Sequence, residues 1–284
     1  MVASWYQRVY AAGRGFALAL AVLVVAPLPG LAQTVPPTAI LLPSDMVKNA
    51  EAARLERQLY LSPTGLTAEN AAVPGQVRVP RFAASLTSLQ WLGLAPAGDL
   101  AVSAEQDHWI VAWKQRPPEA TVIVLNFDTP PKLLSEVGPI EAAGDGSLFL
   151  PACMAHTLGE KIRFEPQTFK NTVGYWVGKK DQAAWQLTAS RAGTYNVEIL
   201  QGCGEGQGGS RAKLSVAATG AADAPGALEF EVMETGHFQN FQWRHLGTVK
   251  LANPGVHRLT IEPIDIKHTA LVDIRAVQLI PVPQ

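Results

Sequence analysis

The residues best suited to recognition chemistry here are aromatic. Tyr175-Trp176 stands just before an alternating segment around Trp185, and Phe238, Phe241 and Trp243 follow Thr235-Gly236. Aromatic faces stack on the apolar faces of sugar rings, and Gln239, Asn240 and Asp273 offer amide and carboxyl groups for hydroxyls. A concave site needs only a few polar groups of this kind. The competing role for such rings, Trp176 above all, is to fill a β core.

Other constellations carry less. Gly204-Glu205-Gly206-Gln207-Gly208-Gly209 satisfies the G-x-G-x-x-G pattern, but that pattern holds a pyrophosphate only where a helix follows. Here Leu214-Ser215-Val216 follows, which reads as a strand, so the glycines are expected to connect strands. The six histidines (His108, His156, His237, His245, His257 and His268) include no H-x-x-x-H pair, and no metal or other cofactor is expected. No G-x-S-x-G or S-x-x-K motif occurs, so nucleophilic catalysis has no support. Glu231 and Glu234 are close in sequence, but a glycosidase needs carboxylates facing each other across a cleft. No catalytic residue is assigned. Cys153 and Cys203 are the only cysteines and form a disulfide candidate if the chain is exported.

The elements that must position these residues read as β. The 284-residue chain has 23 basic and 24 acidic side chains, 48% hydrophobic residues, 24 Gly and 21 Pro. The charge balance gives no electrostatic reason to bind nucleic acid or an anionic membrane, and the apolar content excludes disorder. Residues 1–32 read as a signal peptide. Arg8 and Arg14 precede the apolar run 16–25, prolines break it, and Gly30-Leu31-Ala32 sets cleavage after Ala32. That run is too short for a membrane span, which takes about 20 residues. A secreted or periplasmic location follows.

Residues 33–58 read as a leader with one short helix over 44–55, capped by Ser44 or Asp45. From 59 the period drops to two, with strand candidates at 59–61, 76–79, 88–92, 108–113 and 121–127 forming a small β-sandwich over 59–127. Residues 128–145, with three prolines, read as a linker. Inward residues alternate again over 146–284: Trp185 and Leu187; Tyr195, Val197 and Ile199; Leu214 and Val216; Leu259 and Ile261. About nine short strands there fit a jelly roll. The expected fold is all-β: two antiparallel sandwiches after a signal peptide and one short helix.

A resemblance sharpens this reading. Gly174-Tyr175-Trp176, Ala184-Trp185-Gln186-Leu187, Gly193-Thr194-Tyr195-Asn196-Val197, Gly208-Gly209-Ser210, the run 235–241 and Gly255-Val256-His257-Arg258-Leu259-Thr260-Ile261 occur in one order. That order resembles the jelly-roll carbohydrate-binding modules of the family 6 and 35 type, as appended to bacterial secreted sulfatases and α-L-fucosidases. Residues 59–61, 88–92 and 117–125 are similar to the small C-terminal sandwich of family 29 fucosidases. A (β/α)₈ barrel, about 250 residues, does not fit before residue 59. The resemblance therefore implies an exported, non-catalytic carbohydrate-binding protein, accessory to a secreted glycosidase or sulfatase.

In family 6 modules the loop cleft uses a Tyr, a Trp and an Asn. The matching positions are Tyr175, Phe238 and Asp273, so two of the three depart from the family type. Tyr175 and Phe238 are then the stacking anchors, Gln239, Asn240 and Asp273 the hydroxyl partners, and Trp176 a rim or core residue. The first strand of the second region lacks acids, so calcium is not expected. Two alternatives stay open: an interaction or cell-surface sandwich without sugar binding, and a remnant or partner of a fucosidase-related hydrolase.

Overall fold

Alternation with period two decides almost every element. In the computed structural model, which describes residues 34–94, 99–220 and 226–283, eight strands occupy the first half. They are β1 (Ile40–Leu41), β2 (Ala50–Leu55), β3 (Gln58–Pro63), β4 (Gly75–Pro80), β5 (Leu86–Trp91), β6 (Leu100–Ala104), β7 (His108–Trp113) and β8 (Ile123–Phe127). They form two facing antiparallel sheets, ordered β1-β2-β3-β8-β5 and β4-β7-β6. On β7, Trp109, Val111 and Trp113 point inward and are buried. Trp113 meets Trp91 of the opposite sheet edge to face, with centroids 5.6 Å apart.

The second half holds β9 (Ile140–Glu141), β10 (Leu148–Pro151), β11 (His156–Leu158), β12 (Arg163–Glu165), β13 (Thr172–Gly174), β14 (Gln182–Ala189) and β15 (Gly193–Gly202). It continues with β16 (Arg211–Ala218), β17 (Gly226–Glu231), β18 (Gln242–Leu251), β19 (Gly255–Asp265) and β20 (Asp273–Pro281). One sheet runs β12-β13-β20-β15-β18 with β10 beside β20; the other runs β11-β14-β19-β16-β17 with β9 beside β14. All pairings are antiparallel except β9 with β14. The buried rows of β15 (Tyr195, Val197, Ile199) and β16 (Ala212, Leu214, Val216) face each other as two inner faces do in a sandwich. No helix among the described residues is long and apolar enough to cross a membrane.

The short helix expected over 44–55 does not form. A single 3-10 turn spans Ser44–Met46, and residues 50–55 are strand β2, paired from Ala50↔Pro63 to Leu55↔Gln58. Asn49 (φ 66°) ends any helical path, and Glu56 (φ 51°) closes a tight hairpin. An isolated helix of that length is marginal in water, whereas the ladder to β3 satisfies the backbone and buries Ala52 and Ala53. The leader stretch thus supplies two strands of the first sheet. The signal peptide at 1–32 lies outside the described residues.

The stretch 128–145 is held along its length. Asp128 accepts from the Ser85 amide at 2.9 Å, Arg54 forks onto Glu136 at 2.6 and 2.7 Å, and β9 joins β14. One buried apolar cluster runs through both halves. At the junction Trp109 lies 6.1 Å from Phe164. Buried Arg81 donates to the carbonyls of Ala152, Cys153 and Ala155 at 3.4, 3.2 and 2.6 Å. Its guanidinium also covers Phe164 at 5.1 Å. Burial pushes the Arg81 pKa down, to about 10, which still leaves it charged at neutral pH.

Candidate functional site

Strand register brings distant residues to one end of a sheet. β13 pairs with β20 at Val173↔Ile274, β15 with β20 at Gly202↔Asp273, and β15 with β18 at Gln201↔Gln242. The ends of β13, β20, β15 and β18 therefore lie side by side. Tyr175, Asp273, the 203–204 turn and the 238–241 loop continue from them.

Tyr175 is the exposed ring of this group, 47% accessible, and it sits in left-handed backbone at φ 54°. That region disfavours a bulky side chain, and outliers of this kind gather at functional positions. The Arg163 guanidinium lies 3.4 Å over the Tyr175 ring, and the Lys170 ammonium is 5.9 Å from it. Arg163 and Glu165 share one face of β12, since successive strand residues alternate. Phe164 between them turns the other way, towards Trp109.

Beneath Tyr175 two acids meet. A Cβ at Gly174 would stand 2.5 Å from Glu165 Oε2 and 2.7 Å from Asp273 Oδ1, so both carboxyls crowd the bare glycine backbone. Both residues are buried, and Lys170 pairs with Glu165 at 2.5 Å. Burial first, then the Glu165 charge, raise the Asp273 pKa to about 8, with Lys170 opposing. Asp273 is therefore a neutral acid at pH 7, able to donate one hydrogen bond. Two residues along β20, Arg275 covers the Phe241 ring at 3.8 Å and donates to the carbonyls of Lys170 and Phe169.

Phe238 is half-buried. Its ring would lie 2.8 Å from a Cβ at Gly204, and its carbonyl fills the space a Cβ at Gly202 would need. Both glycines are therefore seats for the 235–240 turn. The pattern Gly204–Gly209 serves that packing: Gly209 donates to Val232 and strand β16 follows. Asn240 spends its amide donor on the Thr235 carbonyl, and the Gln239 backbone amide donates to His237 Nδ1 at 3.2 Å. The Asn240 side chain stays exposed and that of Gln239 half-buried.

Trp176, read from the sequence as a rim or core residue, is fully buried and donates to the Asp181 carbonyl at 2.9 Å. It is a core ring. Cys153 and Cys203 are both free and buried. Cys153 follows β10 and Cys203 follows β15, and these strands flank β20 from opposite sides. Two strand spacings amount to about 10 Å, beyond the roughly 7 Å that a disulfide tolerates between Cα atoms. Burial raises both thiol pKa values to about 11.

The structure thus brings Tyr175, Phe238 and Asp273 to one sheet end and removes Trp176 from the surface. Sequence reasoning missed Arg163, Glu165, Lys170 and Arg275. The alternation Arg163-Phe164-Glu165 was a signal, but only register shows what that face meets. Among the described residues no three His, Cys, Asp or Glu side chains converge as a metal would need.

No family model matches the chain, and no curated protein sequence does. Solved structures are similar to it at low identity. An isomalto-dextranase from Arthrobacter globiformis matches at 12% identity and TM-score 0.36, over 81% of this chain and 36% of that one; the chain thus spans about a third of that enzyme. A family 35 carbohydrate-binding module from Clostridium thermocellum matches at 12% identity and TM-score 0.36, over 48% of this chain and 98% of that module. The C-terminal family 6 module of a Zobellia galactanivorans laminarinase matches at 16% identity and TM-score 0.36, over 47% and 98%.

Proposed function

We propose that this chain is an exported, non-catalytic carbohydrate-binding protein whose sugar site is the sheet end around Tyr175 and Asp273. One observation carries the reading: an exposed tyrosine ring, held in a backbone conformation that tyrosine disfavours, stands beside a buried carboxyl that is neutral at pH 7. A stacking face with an adjacent hydroxyl partner is what a sugar ring requires. Phe238 lies against Gly202 and Gly204, and it and half-buried Gln239 would form the far side of the site. The ordered motifs of residues 146–284 support the same reading, since Tyr175, Phe238 and Asp273 are the positions where family 6 modules place their cleft. Export rests on the apolar segment at 16–25. An accessory role beside a secreted glycosidase or sulfatase rests on the resemblance alone.

The test is a glycan array on the mature protein, followed by calorimetric titration of the best ligand into Tyr175→Ala and Phe238→Ala. Tyr175→Ala should lose binding while melting within a degree or two of the parent. Phe238→Ala should lose binding with some loss of stability, because its ring is half-buried. An array without hits removes the sugar reading and leaves an interaction module. Unchanged affinity in both variants moves the ligand elsewhere.

A further inference from the structure

The first sandwich reaches the candidate site through one short turn. Residues 166–171 join β12 to β13, and the backbone amides of Lys170 and Asn171 both donate to the Gln167 carbonyl, at 2.7 and 2.9 Å. On one side of this turn Lys170 pairs with Glu165 at 2.5 Å, and its ammonium lies 5.9 Å from the Tyr175 ring. On the other side the Asn171 side-chain amide donates to the Leu86 carbonyl at 3.0 Å, and Leu86 opens β5 of the first half. A bulge interrupts the β5–β8 ladder between Leu86 and Ser88. Bulges re-aim groups out of a ladder, and this one frees the Leu86 carbonyl for Asn171. β12 is also held from the first half, where Trp109 and Arg81 meet Phe164. Both elements that carry the charged wall beside Tyr175 therefore touch the first sandwich.

Asn171 is kept under two handicaps. Its backbone is left-handed, at φ 44°, and its Oδ1 is buried without a donor among the described residues. An unmet buried acceptor costs a fold stability, and outliers of this kind gather at functional positions. We infer that the first sandwich is a brace for the candidate site, and that Asn171 is the positioning residue through which it holds Lys170 against Glu165. As a statement about recognition this rests on the sugar reading above; as a statement about the fold it is testable without any ligand. The brace acts on the buried acids. Burial and the Glu165 charge keep the proton on Asp273, and Lys170 opposes them. The other charged or titratable groups at this corner are Arg163 over Tyr175, Arg275 two residues along β20, the buried Cys203 thiol and Glu234. A turn that drifts away from Glu165 takes the opposing cation with it, and Asp273 then gives up its proton at higher pH.

The experiment follows the Asp273 carboxyl by NMR in the whole protein with isotope-labelled aspartate, its signal assigned by loss in Asp273→Asn. Four forms are titrated from pH 5 to pH 10: the parent, Asn171→Gly, Lys170→Met and the double variant. Glycine accepts the left-handed backbone and lacks the amide, so Asn171→Gly removes the contact to Leu86 and keeps the turn. Lys170→Met should raise the Asp273 midpoint by about half a pH unit or more. Asn171→Gly should raise it by a smaller step, and the double variant should rise no further than Lys170→Met alone, the mark of two residues acting as one. A merely structural Asn171 would lower the melting temperature and leave the midpoint in place. Asn171→Ser, too short to reach Leu86, carries the test if the Gly variant melts early. An unmoved midpoint in both Asn171 variants, or a rise that adds in full to that of Lys170→Met, overturns the brace and leaves Arg275 as the grip on the turn. An unmoved midpoint in Lys170→Met overturns it as well, since Lys170 would then have no hold on the acids. Each of these failures leaves the sugar reading standing, whereas a glycan array without hits removes that reading and leaves the brace.

Discussion

Single residues at the sheet end differ sharply in what they hold together. Asp273 gives a pH signature whose sign is fixed. Its folded pKa, about 8, lies above its ordinary value, so between roughly pH 4 and pH 8 the native state keeps a proton that the unfolded chain has lost. Stability should therefore decline as pH rises through that window and level off above it. Asp273→Asn should flatten the decline, gaining most over the parent at pH 8 and little at pH 4, as read by melting temperature across pH. A parent curve that rises from pH 4 to pH 8 while the variant's stays flat would show that Asp273 is ionised in the fold. Tyr175 and Trp176 are adjacent and opposite in kind. Trp176→Ala empties a buried site and should cost about 3–5 kcal/mol of stability, measured by denaturant unfolding; Tyr175→Ala removes an exposed ring, keeps the left-handed strain that any Cβ carries, and should cost little. The two thiols, buried with raised pKa values, should resist maleimide in the native protein and react only on unfolding.

Elements decide which of these residues meet. Gly174 of β13 has no Cβ, and a methyl group there would strike both Glu165 and Asp273. Gly174→Ala should push the two carboxyls apart, cost roughly 1–3 kcal/mol by overpacking and weaken ligand binding, seen in paired melting and titration. How far such relations were legible in the sequence follows from their range. The inward rows Trp185/Leu187 and Tyr195/Val197/Ile199 could be read because strand alternation is local and strong. Residues 44–55 misled because Ala, Glu, Arg and Leu favour helices, while pairing with β3, which no local pattern encodes, decided the outcome. Arg163 and Asp273 are 110 positions apart, and only the β12-β13-β20 order joins them. An arginine on a strand looks like solvated charge until its neighbours are known.

At the scale of the molecule, the two sets of strands are fixed to each other at Arg81. Three carbonyls of the 152–155 turn accept from one buried side chain, and the Phe164 ring lies under it. Phe164 belongs to β12, whose opposite face carries Arg163 and Glu165, so the strand that holds the two halves together also borders the proposed sugar site. Arg81→Leu should strand those carbonyls at a cost of at least about 3 kcal/mol. For a protein of this size the melting temperature should drop on the order of 10 °C. Calorimetry should show one transition in the parent and two in the variant, the halves having lost their common anchor. A variant that still melts in one step at the parent temperature would mean that the Trp109–Phe164 packing alone couples them.

The left-handed backbone at Tyr175 has a consequence for any attempt to improve the protein. Such a conformation costs a non-glycine residue about 1–2 kcal/mol, so Gly or Asn there would raise the melting temperature. A selection on thermal endurance alone would favour that exchange and discard the exposed ring along with the strain. Variants enriched for robustness should therefore be sorted by whether position 175 still carries a ring, because at this position durability and the proposed recognition pull in opposite directions.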